Sequence, residues 1–278
     1  MKITFLGTGA AEGVPAMFCS CEFCKELRKK SPSYYRSRTQ VMIDDKLSID
    51  FPPEAYTNSV RFGVDLSALE ILLVTHSHMD HFYAHDFILR GYKYAELEKN
   101  VLQIYGNSEV KSVFDECTRR EMKSEVASHL NVTVVKTYEA FAIGDYKILT
   151  VPAVHGTKED ALLYYVESKN SGYLHLYDTG ALSDEAIDYF VKNNAKAQVV
   201  ALDCTFLEAP HKDGTRHMCI TDCVDIINRL KSRGVADEST RFIITHFSHH
   251  SSPNEEKLKA IENKYSVTAA YDGLSIEI

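Results

Sequence analysis

Four potential metal ligands fall within six residues of this sequence, in the segment Thr75-His76-Ser77-His78-Met79-Asp80-His81. In an extended stretch, residues two apart share a face, so His76 and His78 can point to one place. Asp80 and His81 then face a second place as the chain turns. Neutral imidazole and carboxylate are ligands for zinc, manganese or iron. A pair of such ions needs roughly six protein ligands and a bridge. Three further residues offer themselves, each just beyond a predicted strand: His155, Asp178 and His246. Taken singly, a histidine after a strand is usually structural and Asp178-Thr179-Gly180 is a common turn. A solvated loop, however, has no need of three imidazoles and a carboxylate in a row, and the distal residues take their weight from that cluster. A second group, Cys19-Ser20-Cys21-Glu22-Phe23-Cys24, brings three thiols together. As thiolates they suit a tetrahedral zinc site completed by one more ligand. The competing reading is a set of packed thiols, since cysteine is at home in a core.

Strands must position these groups. Lys2–Leu6 leads into the turn Gly7-Thr8-Gly9, and Thr39–Ile43 and Leu47–Ile49 flank Asp44-Asp45-Lys46 as a hairpin. Leu69–Val74 is a continuous apolar run, as expected of a buried strand directly before the histidine cluster. Ala142–Ile143 and Tyr146–Val151 bracket Gly144-Asp145, and Leu162–Val166 and Tyr173–Tyr177 bracket Asn170-Ser171-Gly172. Gln198–Leu202, Arg241–Thr245, Val267–Ala270 and Ser275–Ile278 complete the strands. Ser183 caps a helix with Asp184 and Glu185 in its first turn. A second helix runs from about Thr221 to Arg233 and stops at Gly234, and Ser252-Pro253-Asn254-Glu255 reads as a capping box. This order suits two packed mixed sheets with helices outside better than a doubly wound parallel sheet. No feature identifies the stretch from about 110 to 135.

With 278 residues, 45% of them hydrophobic, the chain can bury a large core, and it reads as one domain over 1–278. A net charge of −8 argues against a uniformly basic face for nucleic acid. No apolar run approaches the ~18 residues that cross a membrane, and the opening MKITFLGTGAAEG lacks a signal-peptide pattern. A cytoplasmic protein without a membrane partner is expected. An odd cysteine count, seven, with three crowded together, points to metal rather than disulfides in a reducing compartment.

The Thr-His-Ser-His-Met-Asp-His segment resembles the signature of the metallo-β-lactamase superfamily, whose members have an αββα sandwich with a metal pair at one edge. The resemblance implies that His76, His78 and His155 hold one ion, that Asp80, His81 and His246 hold the other, and that Asp178 bridges them. It also implies a supporting role for Asp50 behind the ligands. Cys-x-Cys-x-x-Cys after an opening Gly-Thr-Gly, with Thr245-His246-Phe247-Ser248-His249 near the end, is similar to the PhnP group of phosphodiesterases. That group opens a cyclic ribose phosphate in carbon–phosphorus bond catabolism. Gly13-Val14-Pro15, Tyr177-Asp178-Thr179, Leu202-Asp203-Cys204 and Tyr271-Asp272-Gly273 extend the similarity over nearly the whole chain.

Carried over, a structural zinc would take Cys19, Cys21, Cys24 and His249, with the adjacent His250 as the other candidate. The reaction implied is hydrolysis of a small or cyclic phosphodiester by a water activated between two divalent ions (zinc, manganese or iron), with Asp178 orienting it and His217 supplying a proton to the leaving oxygen. A homodimer is expected on the same ground. Three alternatives share the ligand set or the cysteine site: a transfer-RNA 3′ processing nuclease, a thioester or lactone hydrolase, and a non-catalytic carrier resembling pyrroloquinoline-quinone biosynthesis protein B. The nuclease carries a Gly/Pro-rich arm that this sequence lacks, and the carrier group often lacks an intact reaction centre. Cys117, Cys204, Cys219 and Cys223 read as packing residues, and His85, His129, His175 and His211 receive no role.

Overall fold

A computed structural model describes residues 1–97, 101–156, 158–209 and 216–278; His211 lies outside them. The first seven-stranded sheet contains Lys2–Gly7 (β1), Gln40–Ile43 (β2), Leu47–Ile49 (β3), Ile71–Leu73 (β4), Leu102–Gly106 (β5) and Leu130–Val134 (β6). The second contains Ala140–Ile143 (β7), Tyr146–Pro152 (β8), Leu162–Ser168 (β9), Ser171–Leu176 (β10), Val199–Asp203 (β11), Arg241–Thr245 (β12) and Thr268–Ala269 (β13). The last strand, Leu274–Glu277 (β14), crosses back to pair with β1, so the spatial orders are β14-β1-β2-β3-β4-β5-β6 and β13-β12-β11-β10-β9-β8-β7.

The central strands are apolar on both faces because both faces of each sheet are covered there. In β9, Leu162, Tyr164 and Val166 enter the core shared by the two sheets, while the alternate residues Leu163 and Tyr165 enter an outer core. That outer core is closed by helices Asp184–Lys192, Ile220–Ser232 and Glu255–Tyr265 through residues such as Ile187, Phe190, Ile226 and Ile261. On the other side, Leu6 and Leu72 face Ala55 of the helix Ala55–Phe62 and Val110 and Phe114 of the helix Ser108–Thr118. The result is an αββα sandwich of the metallo-β-lactamase type, as the resemblance implies.

Strand direction gathers the chemistry. β3 and β4 run parallel, as do β10, β11 and β12, and β8 shares their direction because β9 lies antiparallel to both β8 and β10. Asp50, the Thr75–His81 loop, His155, Asp178, Asp203 and His246 all sit at or just past C-terminal strand ends. Within each sheet these ends share one edge.

The hairpin at Asp44-Asp45 forms as expected, with both residues at positive φ. The expected capping box at Ser252 does not. Ser252 adopts a left-handed conformation and Asn254 is the cap, its side chain accepting from the Lys257 amide, so Pro253 precedes the helix rather than opening it. Similarly, the turn before β10 is made by Lys169 and Asn170, and Ser171 and Gly172 belong to the strand. The stretch 110–135 holds most of the helix Ser108–Thr118, a short helix at Ser124–Ala127 and β6 at the sheet's edge. Among the described residues no helix is long and apolar enough to cross a membrane.

Candidate metal centre

The Asp178 carboxylate is the hub of the strand-end edge. Its Oδ2 lies 3.0 Å from His81 Nε2 and 3.3 Å from His76 Nε2, and its Oδ1 lies 3.4 Å from His155 Nδ1 and 3.9 Å from His246 Nε2. His78 joins from the loop, with Nδ1 2.9 Å from His76 Nε2 and 3.2 Å from His155 Nε2. Two compact donor sets result, His76/His78/His155/Asp178 and Asp80/His81/Asp178/His246, the donor atoms of each lying within 4.8 Å of one another. The two groups bring together the residues that the resemblance assigns to each ion, with Asp178 common to both.

Several donor atoms are buried without a hydrogen bond: His81 Nε2, His155 Nδ1, Asp178 Oδ1 and His246 Nε2. An unsatisfied buried polar atom is costly, and four converging on one point describe a site built for cations. The electrostatics agree. Burial pushes His155 down to about 4 and, with the neighbouring His76, lowers His78, keeping both imidazoles in the neutral form that binds metal. Burial alone would raise Asp80 and Asp178. The adjacent imidazoles, His81 for Asp80 and His246, His76 and His81 for Asp178, instead hold both carboxyls low and ionised. His81 is raised despite complete burial, because Asp50, Asp80 and Asp178 surround it. The edge is rich in buried negative charge, which favours cations. The residues fit a pair of divalent ions.

Each half is braced by a matched set of residues behind the donors. Asp50 Oδ1 accepts from the Thr75 amide (2.8 Å) and hydroxyl (2.9 Å), and its Oδ2 accepts from His81 Nδ1 at 2.7 Å. This fixes the tautomer of His81 and turns Nε2 toward the centre. In the other sheet, Asp203 Oδ1 accepts from the Thr205 amide and hydroxyl, and Thr205 Oγ1 lies 2.8 Å from His246 Nδ1. Glu159 grips the loop between His76 and His78, accepting from the Ser77 amide and hydroxyl and from Asn107. Asp50, Asp178 and His246 are left-handed non-glycine residues at φ 63°, 53° and 60°, a conformation that clusters at functional positions because the surroundings must enforce it. The sequence singled out Asp50 but assigned no role to Asp203, Thr205 or Glu159. Asp203 carried a signal, an acidic residue ending an apolar strand, whereas Glu159 carried none.

Replacing Asp50 by Asn keeps the shape and a residue type that tolerates positive φ, but removes the charge that orients His81. We expect metal affinity to fall about 10- to 100-fold, measured by competition with a chromogenic chelator. An unchanged affinity would contradict this role.

His217 stands at the cavity wall, Nδ1 2.9 Å from Asp203 Oδ2 and 3.0 Å from Asp178 Oδ1. Burial works against its charge, but Asp203 and Asp178 outweigh it and raise the imidazole to about 9. The cavity, about 490 Å³, is lined by His78, Asp80, His155, Asp178, His217 and His246 and rimmed by Ala10–Glu12, Arg216 and His250.

The cysteines form a separate group. Cys21 Sγ and Cys24 Sγ lie 3.8 and 3.5 Å from His249 Nδ1, and with Cys19 the four donor atoms lie within 4.8 Å of one another. That spacing fits a tetrahedral Cys₃His site. His249 is buried with its Nδ1 facing the sulfurs and joins the cysteine cluster, whereas His250 is exposed and does not. The other ring nitrogen of His249 faces Glu12 at 3.8 Å, and Glu12 accepts from Ser248 Oγ. The Thr8–Ala10 backbone pairs with Phe247, so the cysteine loop and the loop carrying His246 form one unit.

Residues 49–247 match the family model described as the beta-lactamase superfamily domain. The octanoyltransferase of Porphyromonas gingivalis (strain ATCC BAA-308 / W83) is 23% identical over 282 residues, covering 99% of this chain and 51% of that protein. The chain thus spans about half the length of the curated relative it matches. Among solved structures, a diphosphatase from the PhnP family aligns with a TM-score of 0.74 at 23% identity, covering 100% of this chain and 97% of the other. Zn(2+)-bound PqqB from Methylobacterium extorquens aligns with a TM-score of 0.70 at 17% identity over 100% of both chains.

Proposed function

The chain belongs to the metallo-β-lactamase superfamily of hydrolases, and we propose that it hydrolyses a small phosphodiester, a cyclic ribose phosphate being one candidate, in the manner of the PhnP group. The observation that carries this reading is the pair of buried donor sets sharing Asp178, with His217 held beside them. When bound, two divalent ions would supply a water that ionises near neutral pH and positive charge beside the phosphoryl oxygens. His76, His78 and His155 would hold one ion and Asp80, His81 and His246 the other. Asp178 belongs to both donor sets and would orient the attacking water. His217 gives its Nδ1 proton to a hydrogen bond with Asp203, which leaves Nε2 to hand a proton to the departing ester oxygen. A structural zinc on Cys19, Cys21, Cys24 and His249 belongs to the same proposal.

The complete ligand set favours an enzyme over a carrier. The acidic balance and the absence of a Gly/Pro-rich arm in the sequence favour a small substrate over RNA. One observation favours a second reading, hydrolysis of an acyl thioester: the curated relative that contains a matching half is named for acyl transfer.

The test is hydrolysis of bis(4-nitrophenyl) phosphate by manganese- or zinc-loaded protein, with His78→Ala alongside. We expect turnover that drops by about 10³-fold in the variant, the scale of losing one transition-state-stabilising group. A fully metallated protein that turns over thioesters but no diester would replace the first reading by the second.

A further inference from the structure

The rim of the catalytic cavity carries a charge that the reaction above does not use. Arg216 is the one lysine or arginine among the described residues lining that cavity. It is exposed, and no described carboxylate lies within ion-pair distance of its guanidinium. It immediately precedes His217 in the chain and packs across Gly156, which immediately follows His155. A Cβ added to Gly156 would fall 2.7 Å from Arg216 Nε, and Gly156 is at φ 68°. Glycine is therefore required there both for its backbone and for the room it leaves the guanidinium. A planar five-donor cation at the mouth, seated against bare backbone, is suited to a phosphoryl or carboxylate oxygen pair. His250 is also exposed on this rim and adds a second donor.

We infer that Arg216 is a specificity-determining residue that binds a second anionic group of the substrate, set apart from the phosphoryl group held at the His/Asp centre. The inference rests on the phosphodiester reading and narrows it to diesters or diphosphates that carry a further phosphate or carboxylate. The geometry explains the pairing of small residue and cation: the His155-Gly156 turn supplies a donor to the centre and a seat for Arg216 in consecutive positions.

The experiment uses the metal-loaded full chain with Arg216→Gln and, separately, Gly156→Ala, which displaces the guanidinium without removing it. The substrates are a nitrophenyl nucleoside 5′-phosphodiester with and without a 3′-phosphate. We expect Arg216→Gln to lower kcat/KM for the bisphosphate about tenfold relative to the compound lacking the second phosphate, chiefly through KM, as for loss of one charge-assisted hydrogen bond. Gly156→Ala should shift the ratio in the same direction. Calorimetric binding of pyrophosphate and orthophosphate gives a readout independent of turnover: Arg216→Gln should weaken pyrophosphate about tenfold relative to orthophosphate. A native enzyme that cleaves diesters, with both ratios unmoved in Arg216→Gln, would overturn the inference and leave the diesterase reading intact. A native protein that cleaves neither diester but loses pyrophosphate selectivity in the variant would do the reverse.

Discussion

Asp178→Asn is expected to lower hydrolysis by about 10³-fold or more and to leave fewer than two ions per chain. The magnitude follows from the position of this carboxylate, common to both donor sets and within 3.0 to 3.9 Å of five imidazole nitrogens. Removing one preorganised stabilising group from a buried centre already costs about 10²–10³ in rate, and this substitution weakens both ion sites as well. Asparagine is the informative replacement because Asp178 sits at φ 53°, a conformation that asparagine tolerates better than other residues. The backbone is therefore retained and the loss reports the charge. Metal content by mass spectrometry, with kinetics on the same samples, makes the check. A variant with two ions and activity within tenfold of the native protein would show that the bridge is dispensable.

The second large effect concerns stability. Cys24 is buried and lies 225 positions from His249, so a zinc bound by both would cross-link the two ends of the chain. Closing so long a loop restricts the unfolded ensemble strongly, and a structural zinc contributes folding free energy directly. For a chain of this size ~1 kcal/mol shifts Tm by about 2–4 °C, so losing ~4 kcal/mol of that free energy in Cys24→Ser lowers Tm by about 10 °C. Activity falls with it, because the loop carrying His246 hydrogen-bonds to the Thr8–Ala10 segment that leads into the cysteines. Cys117→Ser, a thiol outside the cluster, should shift Tm by no more than about 2 °C. Calorimetry with zinc analysis decides the matter, and a Cys24→Ser protein that keeps its zinc and its Tm would remove the cross-link from the account.

The candidate donor cluster was legible in the sequence because its chemistry is dense: three imidazoles and a carboxylate follow one buried strand, and His155, Asp178 and His246 each follow another. Most strands were legible for a related reason. With both faces of both sheets covered, β4, β9 and β12 are nearly unbroken apolar runs. β5 and β6 were not, since their intermediate and exposed positions carry polar side chains at the edge of the first sheet. The cap at Asn254 was misread because Ser252 and Asn254 both suit an N-cap, and only the left-handed turn at Ser252 decides between them. Glu159 was invisible because its partners, Ser77 and Asn107, are remote in sequence and carry no pattern of their own.

The matched braces, Asp50 with Thr75 and His81 on one sheet and Asp203 with Thr205 and His246 on the other, have a thermodynamic corollary. Neither half of the chain owns a complete ion site: residues before β7 supply His76, His78, Asp80 and His81, and residues after it supply His155, Asp178 and His246. Any ion bound at this edge binds only the docked pair of sheets. By mass action it favours docking by RT ln(1 + [L]/Kd), about 4 kcal/mol when free metal exceeds Kd a thousandfold. Occupancy and sheet docking are therefore one equilibrium, and two separately expressed halves would be expected to reassemble more readily in the presence of the metal than in its absence.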